Sequence, residues 1–155
     1  MSLEGRIDLQ KSNLRILHIA AVFGELGQEC LFGIMSILKT IPAINCLQSF
    51  HLTIYVGYAV NAGSEALLDA DWESLAAQIR NLSSGKPLAF HLVVEFLDTS
   101  AYNHRRTAPG PELSKPICSE QLRKLVKERL RILWRDPVIT IFQNFHISLE
   151  CDCIR

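Results

Sequence analysis

Large apolar residues occupy every second position in two segments of the chain, which predicts two β-strands. In residues 50–60 the alternation is regular and rich in aromatic and β-branched types, as in a half-buried strand. Residues 88–97 alternate in the same way but are also apolar at several intervening positions. We expect this second strand to be central and covered by helices on both faces, because such strands are apolar on both sides.

Other segments have apolar residues at the three- to four-residue spacing of a helix with one buried face. We predict helices over residues 14–23, 28–40, 72–82 and 120–135. Asp69 or Asp71 precedes the third helix, where a carboxylate can accept the free N–H groups of the first turn. Pro42 follows the second helix and marks its end.

The remaining pattern predicts a short strand over residues 5–10 and a strand region over residues 138–153, with a hairpin turn at Gln143-Asn144. Residues 100–118 contain three prolines and a glycine, which predicts an exposed loop. We find no internal repeat. We therefore expect residues 1–155 to form one compact α+β domain, in which about four helices cover a small, mostly antiparallel sheet of four or five strands.

Basic and acidic residues are distributed unevenly along the chain, although its formal net charge is zero. Residues 1–100 carry six basic and ten acidic side chains, whereas residues 101–155 carry ten and six. A neutral chain has no global attraction to nucleic acid or anionic membranes. This uneven distribution of charge favours head-to-tail association with further copies of the chain, or binding of a charged partner. The alternative is a chance distribution of charges on a solvated surface.

Five cysteines in a chain without a recognisable signal peptide indicate reduced thiols, because disulfides form mainly in exported proteins. No apolar stretch reaches the ~20 residues that a membrane-spanning helix needs. We expect an intracellular location in a reducing environment.

Motifs for catalysis, cofactors and metals are missing from the sequence. Cys151 and Cys153 are too closely spaced for a zinc site and have no second pair. Cys118 begins the last predicted helix, where a thiol is more easily ionised, but the five histidines show no spacing that ties one to it. We therefore predict no catalytic, cofactor-binding or metal-binding residues.

A basic cluster after residue 100 is the strongest functional signal. Its members are Arg105, Arg106 and Lys115 in the predicted loop, and Lys124, Lys127, Arg131 and Arg135 on one face of the last helix. Such a surface can bind lipid phosphates or acidic protein; a solvated helix face is the alternative. Trp134 is predicted on the core side, so no aromatic ring is offered for base stacking, and sequence-specific nucleic-acid binding is not expected.

The order of elements resembles the globular core of rhabdovirus matrix proteins. The segments that carry the resemblance are residues 4–9, 14–19, 50–55, 84–87 and 90–96, followed by a charged helix and a last strand. The resemblance implies a non-enzymatic protein that self-associates, condenses a nucleocapsid and links it to a membrane. The alternatives are an intracellular protein-binding adaptor and a small enzyme that uses a cysteine or histidine in an unrecognised arrangement.

Overall fold

Strands and helices alternate along the chain in the computed structural model, which describes residues 9–11, 13–23, 27–57, 70–97 and 119–148. The elements are β1 (Ile16–Phe23), α1 (Gly27–Lys39), β2 (Ser49–Gly57), α2 (Trp72–Ser83), β3 (Leu88–Leu97), α3 (Ser119–Arg129), α4 (Arg131–Trp134) and β4 (Ile139–Ser148).

The four described strands form one parallel sheet in the order β1-β2-β3-β4. Between successive strands the chain forms at least one helix that returns it to the same end of the sheet, so the strands run in the same direction. The prediction of a mostly antiparallel α+β domain was therefore wrong, and the fold is α/β.

All the described helices cover the same face of this sheet. In a parallel sheet built in sequential order, right-handed crossovers place every connecting helix on one side. The helices accordingly contact each other in a row, α1 against α2 and α2 against α3 and α4. The prediction that helices cover β3 on both faces was wrong for the part of the chain that the structure describes.

The core lies between the sheet and the helix layer. Alternate residues of the strands face the helices and are inaccessible to solvent in the two central strands, as at Phe50, Leu52, Phe90 and Leu92. Trp72 is the largest side chain that the helices contribute. Each fully buried side chain of this kind contributes roughly 1.5–3 kcal/mol of hydrophobic stabilisation.

Three predicted segments have a different structure. Residues 16–23 were expected in a helix but form β1, because the alternation of Leu17, Ile19 and Ala21 places all three against the core. Residues 139–148 form one continuous strand, with no turn at Gln143-Asn144. The predicted helix over 120–135 is divided at Leu130 into α3 and α4.

Other predicted elements are confirmed: α1, α2, β2 and β3 lie within one or two residues of their expected positions wherever the structure describes them. Asp71 caps α2, since its Oδ1 accepts a hydrogen bond from the Ser74 backbone N–H at 3.0 Å. Hydrogen bonds from the Ser74 side chain and backbone lower the pKa of Asp71. The predicted strand over 5–10, apart from its last two residues, and the predicted loop over 100–118 lie outside the described residues.

Candidate functional site

The sheet face opposite the helices is not covered by any element that the structure describes. We call it the open face; it consists of every second residue from 16 to 22, from 49 to 55, from 89 to 95 and from 140 to 144. These side chains are exposed or only partly buried, whereas their neighbours on β2 and β3 are buried against the helices. Parallel sheets are usually covered on both faces, so an open one is a candidate for binding.

A row of stacked aromatic rings crosses the open face from edge to edge. The strand register places His18 beside His51, His51 beside His91, and His91 beside Phe142. Ring centroids are 4.1 Å apart in the first pair, 4.0 Å in the second and 4.5 Å in the third. The planes of each pair lie within 10° of parallel. We call these four rings the histidine ladder.

A short sequence pattern recurs at the beginning of successive strands and builds this ladder. Leu17-His18-Ile19, Phe50-His51-Leu52 and Phe90-His91-Leu92 each place an imidazole between two aliphatic or aromatic residues. Because side chains alternate between the faces of a strand, the flanking residues enter the core and the imidazole faces outward. In β4 the segment Ile141-Phe142-Gln143 takes the same register with phenylalanine as its outward ring.

Sequence reasoning missed this site, although the signal was present. We predicted His18 in a helix and treated the five histidines as scattered, which hid the recurring pattern. The repeat is short and its spacing differs from one unit to the next, at 33 residues between His18 and His51 and 40 between His51 and His91.

His51 occupies the interior of the ladder, where its surroundings disfavour the charged imidazolium form. Burial lowers the pKa of His51, and the nearby imidazoles of His91 and His18 lower it further. The Ser49 Oγ lies 2.7 Å from the His51 Nε2, a distance that suits a hydrogen bond. A neutral His51 can take part in this bond as donor or acceptor, depending on its tautomer.

Exposed apolar side chains lie on either side of the ladder. Ile16 is 56% exposed, Val22 is 66% exposed, and the ring of Phe142 at the edge of the sheet is 51% exposed. Glu95 is the only carboxylate among the described residues of the open face, which carry no lysine or arginine. The described open face therefore combines a few exposed apolar side chains with imidazole, hydroxyl and amide groups, and Glu95 carries its only fixed charge.

The ladder is not arranged to chelate a metal ion. Ring nitrogen lone pairs lie in the plane of the imidazole, so those of parallel stacked rings lie in parallel planes and do not converge on one point. Across the described residues, no group of three or more histidine, cysteine or acidic side chains could hold a metal. Cys30 donates a hydrogen bond from its thiol to the Val22 carbonyl at 3.1 Å, and Cys46 is exposed. Cys118, Cys151 and Cys153 lie outside the described residues.

The predicted basic cluster is only partly described. Lys124, Lys127, Arg131 and Arg135 are all exposed in the helix layer, and we call them the basic helix surface. Arg105, Arg106 and Lys115 lie outside the described residues, so their position relative to this surface stays a prediction. The basic helix surface and the open face lie on opposite sides of the sheet.

Trp134 does not face the core as predicted. Its side chain is 42% exposed, and the Lys127 Nζ lies 5.2 Å from the centroid of its ring. Within the same helix layer, the Arg129 Nη1 lies 3.4 Å from the Glu73 Oε1. This ion pair joins α3 to α2, and its exposure limits its contribution to stability.

A shallow depression of about 650 Å³ lies at the end of the sheet where the strands begin, and residues of the short connections before β2, β3 and β4 line it. The Arg80 Nε and the Asp136 Oδ2 form an ion pair at 3.5 Å there, and Asp136 also accepts a hydrogen bond from the Val138 N–H. These contacts connect α2 to the beginning of β4, so we assign the polar groups a structural role.

Comparisons with protein-family models, with curated proteins and with solved structures find no match to this chain. No described helix has the length and apolar character needed to cross a membrane.

Proposed function

We propose that this chain is a non-enzymatic protein-binding module and that the open face of its sheet binds a partner protein. The observation that carries the proposal is the histidine ladder on a parallel sheet face that no described element covers. The proposal corresponds to the protein-binding adaptor named above as an alternative, and it adds that the open face is the binding surface.

The composition of the open face favours a protein over a nucleic acid or a membrane. Binding to phosphate groups depends on lysine and arginine, and the described open face contains neither. Its exposed apolar residues are instead suited to a partner's apolar side chains.

The role implied by the matrix-protein resemblance stays a separate prediction. Contact with a membrane or nucleocapsid would use the basic helix surface, which is remote from the open face. Self-association also stays a prediction. It is favoured by β1 and β4, which have no further neighbouring strand in the described part of the chain and can therefore offer backbone hydrogen-bonding groups to another copy.

The proposal can be tested by selecting binders from a displayed library of random peptides. The wild-type chain is compared with the double variant Val22→Ser and Phe142→Ser, which makes the open face more polar. The control is Ile132→Ser, a similar change at a residue of α4 that is 40% exposed on the helix layer.

We expect selected peptides to bind the wild type and the control alike, and to lose about tenfold or more in affinity for the double variant, since each anchor in an interface contributes at least about 1 kcal/mol. Amide NMR shifts should change along the four strands when peptide is added. Equal binding to the double variant, or shifts confined to the helix layer, would contradict the proposal.

A further inference from the structure

We infer that the histidine ladder selects a partner segment that carries carboxylate side chains, and that this segment binds more tightly as the pH falls. The inference rests on the proposed function, because it assigns a partner chemistry to the same open face. It follows from the stacking of the rings and from the charges around them.

Stacking determines which part of each ring a ligand can reach. The ring of His51 lies between those of His18 and His91, and the ring of His91 lies between those of His51 and Phe142. The faces of these two rings are therefore covered, and only their edges are left for a partner. The polar atoms of an imidazole are at its edge, so the ladder offers a partner a line of imidazole edges, with ring centroids 4.1 Å apart from His18 to His51 and 4.0 Å apart from His51 to His91.

Positive charge on the ladder is distributed unevenly. Two neighbouring imidazolium rings about 4 Å apart repel each other, which favours charge on His18 and His91 with a neutral His51 between them. The depressed pKa of His51 agrees with this order. A charged His91 also lies over the face of Phe142 at 4.5 Å, and aromatic rings attract cations at such distances.

Among the described residues of the open face, no carboxylate lies close enough to the ladder to neutralise this charge. The described titratable groups that share the open face are Tyr55 on β2 and Glu95 on β3. Glu95 is four residues along the strand from His91, a separation of about 13 Å. A partner carboxylate is therefore favoured at the ladder and disfavoured near Glu95, which also gives the bound segment a preferred position.

A carboxylate at the ladder links binding to protonation. It stabilises the charged form of an imidazole, so binding of the carboxylate is coupled to proton uptake. Each proton taken up on binding makes the affinity up to about tenfold higher per unit decrease in pH. Histidine is the side chain that changes charge in this range.

The test uses two synthetic peptides, acetyl-Leu-Glu-Phe-Glu-Leu-amide and the same peptide with both glutamates replaced by glutamine. Binding to the full chain is measured by NMR at about pH 7.5 and about pH 5.5, with circular dichroism to confirm that the fold is retained. We expect the affinity for the glutamate peptide to rise about tenfold or more at the lower pH. The affinity for the glutamine peptide should change less than about twofold.

Three variants identify the groups that take up the protons. His18→Phe combined with His91→Phe keeps aromatic rings in the ladder but should abolish most of the pH dependence. His51→Phe is the matched control and should keep most of it, because burial and the neighbouring imidazoles lower the pKa of His51. The imidazole resonances of the wild-type chain provide the same information if a variant fails to fold, since those of His18 and His91 should respond to the glutamate peptide at low pH.

The possible failures are distinguishable. Equal pH dependence for the two peptides, or full pH dependence in the His18 and His91 double variant, overturns the inference and leaves the open face as a binding surface. Absence of binding by the glutamate peptide at about pH 5.5 also overturns it. If library peptides do not bind the open face either, the proposed function fails as well.

Discussion

The rings of His51 and His91 stack with their centroids 4.0 Å apart and their planes 1° from parallel. Close imidazoles disfavour charge on each other, and with burial they lower the pKa of His51 below 6.5. In the unfolded chain His51 is free of these neighbours and binds a proton more readily. Its contribution to stability is therefore complete above about pH 6.5 and is lost as the pH falls through the folded-state pKa.

The stacking of His51 therefore predicts that the stability of the wild type depends on pH more strongly than that of His51→Phe. As the pH is lowered from about 7.5 to about 5.5, the free energy of unfolding of the wild type should decrease more than that of the variant. Urea unfolding at a series of pH values measures both. An equal decrease in the two proteins would show that the ladder does not disfavour protonation of His51.

Leu92 and Val93 are adjacent in β3 but face opposite sides of the sheet. The Leu92 side chain points toward the helices and is fully buried, whereas the Val93 side chain lies on the open face and is partly buried. We expect Leu92→Ala to lower the free energy of unfolding by about 2–5 kcal/mol, because it leaves a cavity in the core. Val93→Ala should cost about 1 kcal/mol or less. Chemical denaturation checks both values, and similar losses would mean that the open face is covered.

Gln143 is the polar exception on the helix-covered face of β4. Its Nε2 is buried and has no hydrogen-bond partner within the described residues, although it lies in register with Leu52 and Leu92. We expect Gln143→Leu to raise the free energy of unfolding by about 1 kcal/mol, because it removes an unsatisfied donor. Asn144→Leu, on the exposed side of the same strand, should change it by less than about 0.5 kcal/mol. A loss of stability in Gln143→Leu would show that the amide has a partner.

The basic helix surface carries the membrane prediction. If it binds lipid, reversing Lys124, Lys127 and Arg131 to glutamate should abolish sedimentation with vesicles that contain phosphatidylserine, since each basic residue contributes about 1 kcal/mol. Reversal of Lys11, Arg15 and Lys39 changes the net charge equally at exposed positions elsewhere and should have a smaller effect. Equal losses of sedimentation in the two variants would show that net charge, and not the basic helix surface, determines lipid binding.

Local pattern predicted the elements whose periodicity is unambiguous. The alternation in residues 50–57 and 88–97 and the helical spacing in residues 72–82 correspond to β2, β3 and α2. The segment that forms β1 has apolar residues at positions compatible with both periods, with Leu14, Leu17 and Ala21 at helical spacing and Leu17, Ile19 and Ala21 alternating. Pairing with β2 decides between them, and that pairing is not visible in the segment itself.

The wrong prediction of antiparallel strands followed from two local errors. Strands separated by helices indicate a parallel sheet, but the prediction of a helix over 14–23 and of a hairpin within 138–153 hid this alternation. The ladder was missed for the same reason, because it depends on four strands being parallel and in register. For the basic cluster, residue type and helical spacing correctly predicted exposed positions on the last helix. These features do not identify the partner that would bind there.

The sequential order of the strands makes this architecture extensible. Among the described strands, each pairs with the strands before and after it in the chain, so its neighbours would be undisturbed if one more strand-helix unit were added at either edge. A duplicated unit with the Phe-His-Leu pattern would add one more ring to the row. The length of the row, and with it the size of the partner segment it can accommodate, could thus change during evolution by gain or loss of whole units without redesign of the core.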